Sequence, residues 1–175
     1  MNLPNRLSIL RVLCIPLIVL FLYLDPAWCH WTAVGLFLLA SFTDFLDGYI
    51  ARKHQLITDF GKFIDPVADK LLVLSTLIML VHMQLVPAWM IILILSRELS
   101  VDGLRLVAAT KGKVIPAGWS GKVKTFSQMI LILYLLLIQI HVFSHWTGLI
   151  LSIWVIAVTL YSGVDYFMKN HAVFS

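Results

Sequence analysis

Six stretches of this chain are apolar for close to the roughly 20 residues that a helix needs to cross a bilayer. They cover about residues 8–24, 32–51, 60–81, 87–106, 125–142 and 146–168, with Pro16 inside the first. Little sequence is left between them, so a separate soluble domain has no room. The chain has 175 residues, of which 61% are hydrophobic and 13% charged. A soluble domain carries about 45–50% apolar and roughly 25% charged residues. Composition therefore argues against a soluble globular enzyme, a disordered chain and a nucleic-acid module. The expectation is one all-α integral membrane domain over 1–175, with six transmembrane helices and a short N-terminal amphipathic segment. Arg6 and Arg11 ahead of an apolar run would also suit a secretory signal. However, no small-residue cleavage site follows at Asp25-Pro26-Ala27-Trp28. Cys14 and Cys29 form no CxxC pair, and Cys14 reads as a small hydrophobe.

The basic residues set the orientation. The 13 Lys and Arg fall at the start of the first stretch, around the second and fourth connections, after the sixth stretch, and at Lys70 and Arg97 inside stretches. The connections at 25–31, 82–86 and 143–145 have none. The positive-inside rule then places both termini and the basic connections in the cytoplasm. Trp28, Trp31, Trp89, Trp146 and Tyr166 mark stretch ends as interfacial aromatics, and the scattered His30, His82, His141 and His145 read as interfacial polar residues.

Charges inside a membrane span are expensive, at about 2.5–3.5 kcal/mol each near a helix centre. Yet residues 41–70 hold two acidic pairs. Asp44 and Asp47 are three apart, and Asp65 and Asp69 four apart, so each pair shares a helix face. A short turn near 53–58 would fold the two helices antiparallel and let the pairs face each other. Four close carboxylates repel and desolvate at high cost unless a cation joins them. Oxygen-only ligands point to Mg²⁺ or Mn²⁺, which grip phosphate oxygens. Gly48 and Gly61 allow a ligand close to the backbone, and Arg52 offers a fork for phosphate. Helix packing is the plainer reading of Gly48 taken alone.

These residues also carry a resemblance. Asp44, Asp47, Gly48, Ala51, Arg52, Gly61, Asp65 and Asp69 fill every fixed position of the pattern of the CDP-alcohol phosphatidyltransferases, eight positions within 26 residues. The opening Met1–Ser8, the run Ser96-Arg97-Glu98-Leu99, the run Gly103-Leu104-Arg105 and the run Gly121–Thr125 resemble bacterial members of that family that use sn-glycerol 3-phosphate. Ser8 stands where threonine is expected and keeps the hydroxyl. The resemblance implies a multi-pass enzyme of the bacterial cell membrane, often a homodimer, with its active site cytoplasmic. It implies that Asp44, Asp47, Asp65 and Asp69 hold Mg²⁺ or Mn²⁺, with Asp69 also the general base. Gly48, Arg52 and Gly61 would hold the CDP part. CDP-diacylglycerol would be the donor, sn-glycerol 3-phosphate the acceptor, and phosphatidylglycerol phosphate and CMP the products, with membrane lipid all around. The last two stretches discriminate nothing at this level.

Arg97, Arg105, Lys122 and Lys124 are candidates for the acceptor's phosphate. Arg97 and Arg105 are eight apart, a little over two helical turns. Glu98 points about 100° away from Arg97 on a helix and is no obvious partner for it. Arg105 has a plainer reading as a helix pair with Asp102, and the lysines as contacts to anionic headgroups. Two rivals are a family member with another acceptor (serine, inositol phosphate or a lipid) and a cation transporter. Transporter ion sites tend to lie near the midplane, whereas these carboxylates crowd one edge. A purely structural membrane subunit would leave the aspartates unexplained.

Overall fold

The computed structural model describes residues 3–53, 58–113, 115–116, 118–139 and 145–171. Within these helices the side chains at 3, 4, 45, 47–49, 51–53, 59, 60, 62, 139 and 145 lie outside the description. The described residues form six helices: α1 (Leu3–Tyr23), α2 (Ala27–Lys53), α3 (Asp59–His82), α4 (Ala88–Thr110), α5 (Trp119–Gln139) and α6 (His145–Lys169). Three stretches among them, Asn5–Tyr23, Trp119–Ile138 and Trp146–Lys169, are long and apolar enough to cross a membrane. The chain is thus an all-helical protein with membrane-spanning character. α2, α3 and α4 are as long as the others but hold the acidic and basic residues that lower their hydropathy.

Local chemistry explains the helix ends. Thr58 caps α3, its Oγ1 accepting a 3.0 Å bond from the Gly61 N–H, which satisfies one of the four orphan donors of a helix start. Pro87 stands before α4 and needs no donor there. Gly112, at φ +70°, turns the chain after α4, a backbone region that favours glycine. α1 runs unbroken from Leu3. The amphipathic opening is therefore its first turns and not a separate segment, because Asn5 and Ser8 are buried against neighbouring helices instead of lying on a surface.

α1 packs chiefly on α2 and α3, and α6 on α5 and α4, while α3 touches α4 and α5 and joins the two halves. One apolar core runs through both halves, from Ile18 and Phe37 through Leu72 and Leu77 to Ile94, Leu131 and Leu136. Cys14 is part of that core and Cys29 is buried as well, both as small hydrophobes. The outer faces are also apolar: Leu13, Leu17, Ile92, Leu106, Ile150 and Ile153 are all exposed. Such a surface suits lipid rather than water. Trp28, Trp31, Trp89 and Trp146 are exposed, as interfacial aromatics should be, but Tyr166 is only 4% exposed and faces inward. His30 is buried too, so its ring faces protein rather than headgroups. His82 stacks on Tyr23, while His141 and the side chain of His145 lie outside the described residues.

Candidate active site

The acidic helices meet α1, whose contacts with them spacing alone does not show. Asn5, Ser8 and Arg11 recur every three residues and share one side of α1. Each binds a residue of the acidic region. Thr58 Oγ1 donates to Asn5 Oδ1 at 3.0 Å, the Ser8 hydroxyl donates to Asp65 Oδ1, and Arg11 Nη1 lies 2.7 Å from Asp44 Oδ1. The Arg11 side chain is 0% exposed, against 38% for Asp44. Reading Arg11 as a topology signal alone misses this contact. Asp44 on α2 lies within electrostatic reach of both Asp65 and Asp69 on α3. Asp47, Gly48 and Arg52 follow Asp44 on α2, but their side chains lie outside the described residues.

Gly61 serves a close approach here. A Cβ at this position would stand 3.1 Å from Asn5 Oδ1 and 3.2 Å from Thr58 Oγ1. Those two atoms are bonded to each other, and Asn5 is buried, so neither yields freely. Gly61→Ala is expected to cost about 1–3 kcal/mol of stability, the usual range for overpacking. A thermal melt of the purified protein checks this; an unchanged midpoint would show that the seam between α1 and α3 tolerates a methyl group.

Asp69 Oδ1 is buried and has no hydrogen-bond partner among the described residues. A carboxylate oxygen only accepts, so an enclosed one without a donor calls for a cation. The donor set at this edge is oxygen throughout, which fits a hard divalent ion. Among the described residues no three acidic, His or Cys side chains already form a ligand shell; Arg11 and Ser8 occupy oxygens of Asp44 and Asp65.

Beside Asp69 opens a cavity of about 510 Å³ between α3, α4, α5 and α6. Arg97, Arg105, Lys122 and Lys124 all line it, together with Lys70 and Glu98. The structure thus brings the four basic candidates and Asp69 to one space. Two pairings differ from the sequence reading. Glu98 does partner Arg97, at 3.0 Å between Oε1 and Nη1, and also accepts from Lys124. The 100° between neighbouring helix positions is spanned by two long, flexible side chains. Asp102 pairs with Lys70 of α3 and not with Arg105, since α3 lies alongside α4.

Helix α6 contributes residues that the sequence did not place at this site, Tyr166 having the pattern of an interfacial aromatic. Arg105 Nε donates to Tyr166 Oη at 2.9 Å, and its guanidinium lies 5.4 Å from the ring centroid. Arg97 Nη2 donates to Ser162 Oγ at 2.7 Å. A Cβ on Gly163 would stand 3.2 Å from Arg97 Cγ, so glycine leaves room for that side chain. The one available signal was the polar run Ser162, Gly163, Asp165 and Tyr166 at the end of an apolar stretch. Tyr166→Phe removes the hydroxyl that accepts from the Arg105 guanidinium, a hydrogen bond to a charged group worth about 1.5–3 kcal/mol. A thermal melt should show a lower midpoint for Tyr166→Phe; an unchanged midpoint would show that the buried face of α6 does not depend on this bond.

Comparison with known proteins adds an independent line. The family model for CDP-alcohol phosphatidyltransferase matches residues 1–154. The chain is 43% identical over 183 residues to the CDP-diacylglycerol–glycerol-3-phosphate 3-phosphatidyltransferase of Bacillus subtilis, covering 97% of this chain and 95% of that one. Proteins of the same name from Rickettsia felis (41%, covering 95% and 93%) and Pseudomonas fluorescens (40%, covering 95% and 88%) are similar.

Proposed function

The chain belongs to the CDP-alcohol phosphatidyltransferase family, and from that premise we propose that it moves the phosphatidyl group of CDP-diacylglycerol to sn-glycerol 3-phosphate in phospholipid biosynthesis. The observation behind this reading is the cavity where a buried carboxylate, Asp69, shares one space with Arg97, Arg105, Lys122 and Lys124. Those cations suit an anionic phosphate acceptor, and a neutral headgroup such as serine would leave them without a task. The relatives' names point to the same acceptor. The test is CMP release by purified protein offered CDP-diacylglycerol with sn-glycerol 3-phosphate, serine or inositol phosphate. Only the first should support rapid release; a preference for another would change the acceptor within the same reaction class.

Asp44, Asp47, Asp65 and Asp69 are the residues that would hold the divalent ion, Mg²⁺ or Mn²⁺. That ion, when bound, neutralises the donor's diphosphate and steadies its oxygens. Arg97, Arg105, Lys122 and Lys124 hold the acceptor's phosphate and turn its hydroxyl toward Asp69. Asp69 accepts the hydroxyl proton as the oxygen bonds to the lipid-bearing phosphorus. The bond from that phosphorus to the CMP oxygen breaks, and CMP leaves. Positioning supplies much of the rate, since an ordinary aspartate is a weak base. Gly48, Arg52 and Gly61 stand at the end of α2 and the start of α3 for the nucleotide, with Gly61 also required by the seam.

All six helices span the membrane in this reading, with both termini and the site cytoplasmic in a bacterial cell membrane. Support comes from the helix ends. Arg11 toward the start of α1 meets Asp44 toward the end of α2, Arg105 and Tyr166 join the last parts of α4 and α6, and Lys124 near the start of α5 meets Glu98 at the middle of α4, as Lys70 at the middle of α3 meets Asp102. Tyr23 with His82, and Tyr134 with Thr147, join the opposite ends. The basic residues crowd the first set. Single cysteines at Asp25 and Lys113, both exposed, should label from opposite sides of the membrane once Cys14 and Cys29 are replaced. Labelling from one side would remove the six-span topology. The family resemblance also favours a homodimer, which crosslinking in membranes would capture.

A further inference from the structure

We propose that Arg11 is the resident countercharge of the acidic site: it holds Asp44 in place before a divalent ion arrives and lowers the affinity with which that ion binds. The metal part rests on the metal-dependent reading above; the metal-free part does not. Arg11 is among the largest fully buried side chains of the protein, with 0% exposure, on a helix that also buries Asn5 and Ser8 beside its apolar residues. A buried guanidinium is retained only where a carboxylate or equivalent group compensates it. Asp44 lies 2.7 Å away, and Asp69 also lies within electrostatic reach of Arg11. Ser8 and Asn5, on the same side of α1, bond to Asp65 and Thr58. The α1 seam thus fixes both acidic helices while Arg11 supplies the positive charge that their carboxylates need.

Two consequences follow from charge. Without metal, Arg11 and Asp44 stabilise one another. Removing either charge leaves the other less well compensated, whereas removing both is close to neutral. With metal, Arg11 is a like charge beside the incoming cation. A unit charge several ångströms away opposes a divalent ion strongly at a protein edge. Arg11 is a positioning residue in this account, since it acts through Asp44 and does not touch substrate.

The experiment uses the full-length protein in detergent. In chelator, thermal unfolding is measured for Arg11→Met, Asp44→Asn and the double variant. Each single variant should melt lower than wild type, and the double should recover most of the loss. Additive losses would overturn the countercharge role. Then Mn²⁺ binding is followed by electron paramagnetic resonance of the free ion. Arg11→Met should bind Mn²⁺ about tenfold or more tighter, and Arg11→Lys, which keeps the charge, close to wild type. Equal or weaker binding by Arg11→Met would overturn the effect on affinity. If Arg11→Met does not fold, Arg11→Gln takes its place in both arms. If neither wild type nor any variant bound Mn²⁺, the metal-dependent reading would fall, and the melting arm would still decide the pairing of Arg11 with Asp44.

Discussion

Asp69→Asn lowers turnover by about two to four orders of magnitude, the usual worth of a general base, without unfolding the protein. The substitution keeps size and shape and removes one charge. In the metal-free protein that charge sits on a buried oxygen without a hydrogen-bond partner among the described residues. Within its reach are the like charges of Asp44 and Glu98 and the opposite charges of Arg11 and Lys124, so burial without a donor is what the substitution relieves. Its loss should therefore leave the metal-free melting temperature equal to that of wild type or higher, as when a strained functional group is neutralised. Activity and stability moving in opposite directions separates lost chemistry from lost fold. Excess chelator should abolish wild-type turnover in the same assay, and Mg²⁺ or Mn²⁺ should restore it. Asp69→Asn retaining more than about a tenth of wild-type kcat at saturating metal would remove Asp69 as the base, since base catalysis is worth far more.

Arg105→Ala raises the KM for sn-glycerol 3-phosphate by about one to two orders of magnitude, the range for a charge-assisted hydrogen bond, and changes the KM for CDP-diacylglycerol little. The four cavity cations are not equivalent. Arg97 and Lys124 share Glu98, so part of their charge is already answered. Arg105 has a hydroxyl and a ring as neighbours and no ion pair among the described residues. Its charge is therefore the more available to a phosphate. Arg97→Ala carries a second cost, since it leaves Glu98 with Lys124 alone and frees Ser162 Oγ. Its effect should appear in stability as well as in KM. Initial-rate kinetics with each substrate varied in turn would separate these outcomes. Equal rises in both KM values for Arg105→Ala would move this arginine from the acceptor to a general electrostatic role.

The helical architecture was legible because each apolar stretch is long, and a long periodic segment leaves few alternatives. Edges moved by a few residues: α5 begins at Trp119, ahead of the apolar run, because capping and turn chemistry set helix ends where hydropathy sets spans. The acidic residues were legible because four carboxylates in an apolar chain have few structural uses. Their partners were not. Arg11 looked like a flanking charge, and only packing shows it buried against Asp44. Glu98 looked misdirected at Arg97, yet side-chain length outweighed helix angle. Tyr166 carried the pattern of an interfacial aromatic, but α6 turns that face toward α4, where Arg105 meets it. Spacing along one helix reports which residues share a face; it does not report which neighbour that face meets.

The central claim is transfer of a phosphatidyl group to glycerol 3-phosphate at the Asp69 cavity. Radiolabelled sn-glycerol 3-phosphate, CDP-diacylglycerol and a divalent salt incubated with purified protein in mixed micelles test it directly. Label should enter the lipid phase in one-to-one proportion with CMP released, and both rates should fall by about two to four orders of magnitude with Asp69→Asn. CMP released at the same rate without glycerol 3-phosphate, or label left entirely in water, would contradict it.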